Sequence, residues 1–224
     1  MSSDFPVNVP IIGRTRICLE MLLDQKIKDK VIVDVGSSFG WLENKIKGEG
    51  AKKIIGIEPN KDAVEFAQKN VTGAKFLVGD ALNVPLSENM ADVVILYDVL
   101  EHIPKGTEGQ VLSEIRRILK KGGTLLFSTP NKHILSNLLD IAWYFGHRHY
   151  TKSQITNFLE NNGFKILQIF SKGSIFSSIY LIWFYIAKKI FNTPMPRNNF
   201  LEKLDDEGYQ KGDLTDIFLV SRKN

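Results

Sequence analysis

The sequence predicts an α/β protein built on a parallel sheet with helices on both faces. Three observations carry this. Short apolar runs and amphipathic helical stretches alternate five times between residues 30 and 128. The runs are continuous rather than alternating, as in VIVDV at 31–35, which marks strands buried on both faces. The connections are short, and the runs close on Gly, Pro or an acid, the pattern of strand–helix–strand units.

Each element follows from its own signal. Residues 10–24 read as an opening helix, with Ile11, Ile12, Ile17, Leu19, Leu22 and Leu23 set around Arg14, Arg16 and Glu20. A strand over 30–36 precedes a helix over 41–47. A second strand over 53–57 is closed by Glu58, Pro59 and Asn60, before a helix over 61–70 with Val64, Phe66 and Ala67 facing inward. A third strand covers 76–78 and a fourth 91–97. The helix over 107–120 carries Val111, Leu112, Ile115, Ile118 and Leu119 at helical spacing. Lys121, Gly122 and Gly123 stop it, and a fifth strand runs over 124–128. The second half changes character. Residues 131–150 are loop and helix rich in aromatics and histidine. A helix over 151–162 has Thr151 as N-cap and Gly163 as its stop. Then come a strand over 164–170, an apolar helix over 173–191, a loop over 192–212 with two prolines, and a last strand over 214–221.

The chain has 224 residues, 43% of them apolar and 24% charged, which fits one globular domain and excludes a disordered chain. Its single cysteine, Cys18, allows no intramolecular disulfide, and an intracellular, cytoplasmic setting is expected. The net charge of +4 is scattered and forms no basic tail, so no nucleic-acid partner is expected. The first ten residues carry Asp4 and two prolines and no apolar secretory core. The most apolar stretch, 174–187, would be about 21 Å long as a helix, short of a hydrocarbon core of about 30 Å.

In an open parallel sheet, ligands bind at the carboxyl ends of the strands. After the first strand the chain reads Asp34, Val35, Gly36, Ser37, Ser38, Phe39, Gly40; after the second comes Glu58, after the third Asp80, and after the fourth Asp98, Glu101 and His102. A dinucleotide loop of G-x-G-x-x-G starting at Gly36 would need glycine at positions 38 and 41, which hold Ser38 and Trp41. An adenosyl group without phosphate is met by D-x-G-x-G-x-G, in which Asp34, Gly36 and Gly40 match and Ser38 replaces the middle glycine. Asp34 and Glu58 together would repel a pyrophosphate but suit an ammonium and a sulfonium. A nicotinamide oxidoreductase is therefore disfavoured.

On these residues the chain resembles the class I S-adenosylmethionine-dependent methyltransferases, especially their small-molecule type 11/23 branch. The matching stretches are 33–42 (VDVGSSFGWL), 55–60 (IGIEPN), 79–86 (GDALNVPL), 92–104 (DVVILYDVLEHIP), 119–130 (LKKGGTLLFSTP) and 149–164 (HYTKSQITNFLENNGF). The resemblance implies a doubly wound, Rossmann-like, seven-stranded, mostly parallel sheet with an antiparallel last strand. It implies one domain over 1–224: an N-terminal helical cap over 1–29, a cofactor-binding half over 30–130, and a substrate-side half over 131–224 with an apolar helical insertion at 174–212. It also implies S-adenosyl-L-methionine as cofactor. Gly36, Ser38, Phe39 and Gly40 would pass under the methionine moiety and Asp34 would reach its amino group through water. Glu58 would hold the ribose hydroxyls, with Pro59 and Asn60 beside the adenine. Asp80 would bind the adenine amino group with Ala81 nearby, and Tyr97 and Asp98 would line the methionine end.

Methyl transfer is an in-line displacement, so the protein chiefly aligns acceptor, methyl and sulfur and excludes water. The expected acceptor is small, apolar or lipid-linked, attacked at O, N or C. Where it must lose a proton, His102, His133, His147 and His149 are candidate bases, with Tyr150 beside them. Trp143, Tyr144 and Phe145 are core residues or walls of an apolar substrate site. His147 and His149 flank Arg148, but with the cysteine far away no metal site is expected. Asp98 and Glu101 have a plainer reading as acids at a helix start. The Asx-Pro-Pro-aromatic motif of nucleic-acid amino-methyltransferases is replaced here by Asp98, Val99, Leu100 and Glu101. The apolar helix, with Lys172, Lys188 and Lys189 at its ends, reads as a lid, a homodimer contact through 174–191, or a peripheral membrane foot. A non-catalytic adenosyl-binding subunit that activates a partner through this helix is the competing function, and the intact loop argues against it.

Overall fold

A computed structural model describes residues 7–140, 143–144, 146–191 and 198–224. One seven-stranded sheet holds β1 (Val31–Val35), β2 (Lys53–Glu58), β3 (Lys75–Val78), β4 (Ala91–Tyr97), β5 (Leu119–Pro130), β6 (Phe164–Lys172) and β7 (Asp216–Lys223). The spatial order is β3-β2-β1-β4-β5-β7-β6. β1 to β5 pair in parallel, and β7 runs antiparallel to both β5 and β6. This is the sheet that the resemblance implied. The order reverses between β1 and β4, so the ligand edge lies above those two strands.

Strand parity assigns each side chain to a layer. On one face Val33, Val35, Val94 and Leu96 pack under α4 (Glu108–Ile118) and α6 (Lys152–Asn161), whose Val111, Ile115, Ile155 and Leu159 are buried. On the other, Ile32, Val93 and Ile95 pack under α1 (Gly13–Leu23) and α2 (Trp41–Ile46) through Leu22, Leu42 and Ile46. α3 (Lys61–Asn70) buries Val64 and Ala67 against Phe76, while Phe66 is half-buried against Phe39. Thr151 caps α6 with a reciprocal bond to Gln154, and Gly163 follows it at φ +76°.

The second half departs from expectation in one element. The stretch 192–212 reads as loop, but α8 (Asn199–Lys211) fills most of it, with Asn198 accepting hydrogen bonds from the N–H groups of Phe200 and Leu201. Its buried face is Glu202, Asp205, Gly208 and Tyr209, so it shows no apolar stripe. Residues 192–197 lie outside the described residues. α8 packs on α1 and on α7 (Ile175–Phe191), which also touches α5 (Ile134–Leu139). α7 and α8 together form the insertion between β6 and β7. α7 buries Ser177, Ser178 and Ala187 but exposes Ile175, Phe176, Ile179 and Ile186, so it is not apolar against protein all round. The side chains of Lys188 and Lys189 lie outside the described residues. No helix of the described residues is long and apolar enough to cross a membrane.

Candidate active site

The loop after β1 has the backbone that its glycines foretell. Gly36 and Gly40 lie at φ +92° and +80°. A Cβ on Gly36 would stand 2.4 Å from Cγ2 of Val99, and one on Gly40 would stand 2.8 Å from the Phe76 ring. Ser38, where the family pattern has glycine, sits at φ +49°, a left-handed conformation that costs a serine more than a glycine. Its N–H donates to Oε2 of Glu58 at 3.0 Å, which holds the turn. The N–H of Asn60 donates to the other oxygen, Oε1, at 3.0 Å, so both oxygens are fixed at the end of β2. Pro59 beside it is exposed. At the end of β3, Oδ1 of Asp80 accepts from the N–H groups of Leu82 and Asn83 at 2.8 and 2.9 Å. Ala81 is packed into the core.

Asp34 falls on the same face of β1 as Ile32, towards α2, and there it meets Glu43. Both carboxyls are buried, and loss of solvent opposes the charge on each. Burial pushes Asp34 up to about 7, against which the hydrogen bond from Glu43 works. Burial, then the Asp34 charge, push Glu43 well above its usual range. Glu43 is a residue that the sequence reading missed, because on α2 it occupies a core-facing position next to Leu42 and Ile46.

At the end of β4, Tyr97 faces α1 and donates its hydroxyl to the carbonyl of Cys18 at 3.1 Å. Asp98 has φ +53°. Its carboxylate pairs with Arg14 of α1 and accepts from the Ser128 hydroxyl at 2.9 Å. Arg14 was legible only as a polar position on an amphipathic helix. The α4 helix begins at Glu108, so Asp98 and Glu101 lie in the preceding loop and not at a helix start.

A cavity of about 510 Å³ opens beside Asp98. Glu101, His102, Asp140, His147 and His149 line one side of it, and Ile12, Tyr180 and Tyr209 another. His102 and His147 bring their Nε2 atoms to 3.3 Å from each other. Burial, then the neighbouring His147, lower the His102 pKa. Nδ1 of His147 lies 3.3 Å from Oδ2 of Asp140, and His149 is buried between Asp140 at 2.8 Å and Asn137 at 2.6 Å. Tyr150 does not line the cavity. It is buried in the core, and its hydroxyl donates to the carbonyl of Leu100, in the β4–α4 loop, at 3.1 Å. Arg148 braces the same loop, donating to the carbonyls of Leu100 and Ile103 and pairing with Glu108 at 2.5 Å. His133 is exposed and outside the cavity lining, and Trp143 and Tyr144 are exposed rather than core. Phe145 lies outside the described residues.

Residues 33–127 match the family described as "Methyltransferase domain". Among curated proteins, the ubiquinone biosynthesis O-methyltransferase of Vibrio vulnificus is 32% identical over 118 residues, covering 50% of this chain and 49% of that protein. The malonyl-(acyl-carrier protein) O-methyltransferase of Halalkalibacterium halodurans is 32% identical over 123 residues, covering 50% of this chain and 45% of its own. The chain thus spans about half the length of these relatives. Among solved structures, a geranyl diphosphate methyltransferase superposes with a TM-score of 0.67 at 14% identity, over 92% of this chain and 84% of that one. That likeness is one of fold.

Proposed function

We propose that the chain is a class I S-adenosylmethionine-dependent methyltransferase and that it transfers a methyl group from S-adenosyl-L-methionine to a small, apolar or lipid-linked acceptor held in the cavity beside Asp98. One observation carries this reading: the loop after β1 and the loop after β4 touch where Gly36 meets Val99, and the cavity begins at the next residues of the same loop, Asp98, Glu101 and His102. A cofactor edge and an acceptor space are thereby contiguous.

The residues fit an adenosyl sulfonium group. Glu58 and Asp80 are held by backbone N–H groups at the ends of β2 and β3, with acceptor capacity left for the ribose hydroxyls and the adenine amino group. Two fixed acids at that edge disfavour a pyrophosphate. When bound, the cofactor supplies a methyl carbon already activated by its sulfonium. Ser38 and Gly40 shape the turn that would pass under the methionine end. Asp34 would face its ammonium, and Asp98 would border it beside Arg14. His102 and His147 form the polar end of the cavity, where the acceptor's heteroatom would sit, and Tyr180 with Ile12 supplies apolar walls. α7, which contributes Ser177, Ser178 and Tyr180, would exclude water from the acceptor. A partner-activating subunit without catalysis has no need of this cavity next to the cofactor edge.

The test is calorimetric titration with S-adenosylhomocysteine of the wild type and Glu58→Ala. Micromolar binding is expected for the wild type. Loss of a charge-assisted pair of hydrogen bonds, roughly 1.5–3 kcal/mol, should weaken it by about 10- to 100-fold in the variant. Absence of binding to the folded wild-type chain would overturn the proposal.

A further inference from the structure

Glu101 is 2% exposed, and its two oxygens are treated unequally. Oε2 accepts from the Thr129 hydroxyl at 3.1 Å, whereas Oε1 has no hydrogen-bond partner among the described residues. A buried carboxylate oxygen without a donor is costly and calls for a cation or a proton donor. The groups nearest at hand are two imidazoles. Oε1 lies 4.0 Å from Nε2 of His147, and that Nε2 lies 3.3 Å from Nε2 of His102. The three atoms stand within 4.8 Å of one another.

That separation is chemically specific. Zinc binds imidazole nitrogen at about 2.0–2.1 Å, so two ligands of a tetrahedral site stand roughly 3.3–3.4 Å apart. The layer behind is built as well. A metal-bound imidazole ordinarily gives its other N–H to a carboxylate, which fixes the tautomer and aims the lone pair. Here Nδ1 of His147 faces Oδ2 of Asp140 at 3.3 Å, leaving Nε2 as the lone-pair nitrogen. Asp140 is in turn held by Nε2 of His149 at 2.8 Å, and Nδ1 of His149 by Asn137 at 2.6 Å. Asp140 and His149 therefore complete hydrogen bonds, whereas Oε1 of Glu101 has no donor and the Nε2 atoms of His102 and His147 meet each other beside it.

We propose that Glu101, His102 and His147 bind a divalent cation of the zinc class, with Asp140 and His149 orienting His147, and that its remaining position receives an oxygen of the acceptor. Two imidazoles with one carboxylate favour zinc or a similar transition ion over magnesium or calcium, which take oxygen ligands. The same set with one open position is that of catalytic rather than structural zinc. All three ligands line the acceptor cavity, so the open position is available to whatever fills it. Cation binding stands on this geometry alone; the acceptor clause rests on the methyl-transfer reading.

The experiment is titration of the untagged, chelator-treated chain with Co²⁺, read by its visible absorption, followed by displacement with Zn²⁺. One equivalent should bind with the intense bands of a four- or five-coordinate ion and be displaced by zinc. His102→Ala, His147→Ala and Glu101→Gln should each abolish the bands or weaken binding more than 100-fold, and Asp140→Asn should weaken it by about 10- to 100-fold. His133→Ala, outside the cavity, should titrate as the wild type. S-adenosylhomocysteine binding by each variant shows that it is folded and keeps the two readings apart. A wild type that binds the nucleoside but no stoichiometric Co²⁺ overturns the cation site and leaves the methyl-transfer reading standing. Co²⁺ bound equally by wild type and ligand variants also overturns it. Co²⁺ bound as described without nucleoside binding upholds the cation site and removes the acceptor role.

Discussion

Two buried acids meeting across β1 and α2 make the stability of this protein depend on pH in an unusual direction. Burial holds Asp34 up to about 7, and Glu43 lies well above its usual range, so between the ordinary carboxylate pKa near 4 and about 7 the folded chain keeps protons that the unfolded chain has released. The stabilisation from that retention is complete below the ordinary carboxylate range and is lost as pH rises through about 7. Glu43→Gln removes one acid and leaves an amide that can donate to Asp34. We expect the variant to be more stable than the wild type at pH 8.5 by about 1–2 kcal/mol, with the gap closing towards pH 5. Denaturant unfolding at both pH values checks this, and parallel profiles would refute it. Asp34 itself was legible as an acid at a strand end before glycines. Glu43 was not, since its meaning depends on α2 folding back over the same face of β1. Arg14 and Asp140 were hidden for the same reason: each acts through an element distant in sequence.

At the level of elements, legibility followed hydrophobic pattern. β1, β2, β4, α3 and α4 lay within a residue or two of their expected bounds, because buried parallel strands and amphipathic helices carry strong signals. α8 was missed because two of the residues it buries, Glu202 and Asp205, are acids, with Asp205 pushed up to about 6 chiefly by that burial. α7 was legible as a helix but not in its sidedness. One side closes the cavity with Ser177, Ser178 and Tyr180; the other shows Ile175, Phe176, Ile179 and Ile186 to solvent. Exposed apolar side chains spaced like these on one helix favour an interfacial contact, and a bilayer would also deliver a lipid-linked acceptor. Phe176→Asp with Ile179→Asp should abolish co-sedimentation with anionic liposomes, since burying each side chain is worth roughly 1.5–3 kcal/mol. The S-adenosylhomocysteine affinity should be unchanged. Sedimentation of the variant like the wild type, or none by either, would exclude the membrane contact and leave the lid and the homodimer contact, which sedimentation equilibrium separates.

For the whole molecule, the reversal of strand order between β1 and β4 decides where everything else must be. It leaves a crevice at the carboxyl edge, and Asp34, Glu58, Asp80 and Asp98 stand at or just beyond the ends of β1, β2, β3 and β4. Four acids along one edge are a cost to the folded chain when no cation faces them. Arg14 relieves it at Asp98, the upward shift that burial imposes relieves it at Asp34, and Glu58 and Asp80 lean on backbone N–H groups. A ligand that satisfies this edge should therefore stabilise the whole fold cooperatively. The β1 and β4 loops that it would bridge belong to central strands rather than to a peripheral flap. At a nucleoside concentration of about 100 times Kd, linkage adds roughly 2.7 kcal/mol. In a domain of this size that should raise Tm by about 5–11 °C, seen as one sharp transition. The Glu58→Ala variant at the same concentration should gain about half of that shift or less. A thermal profile in which only a partial, early transition moves would mean that the crevice is an independent local unit, with no linkage between edge and core.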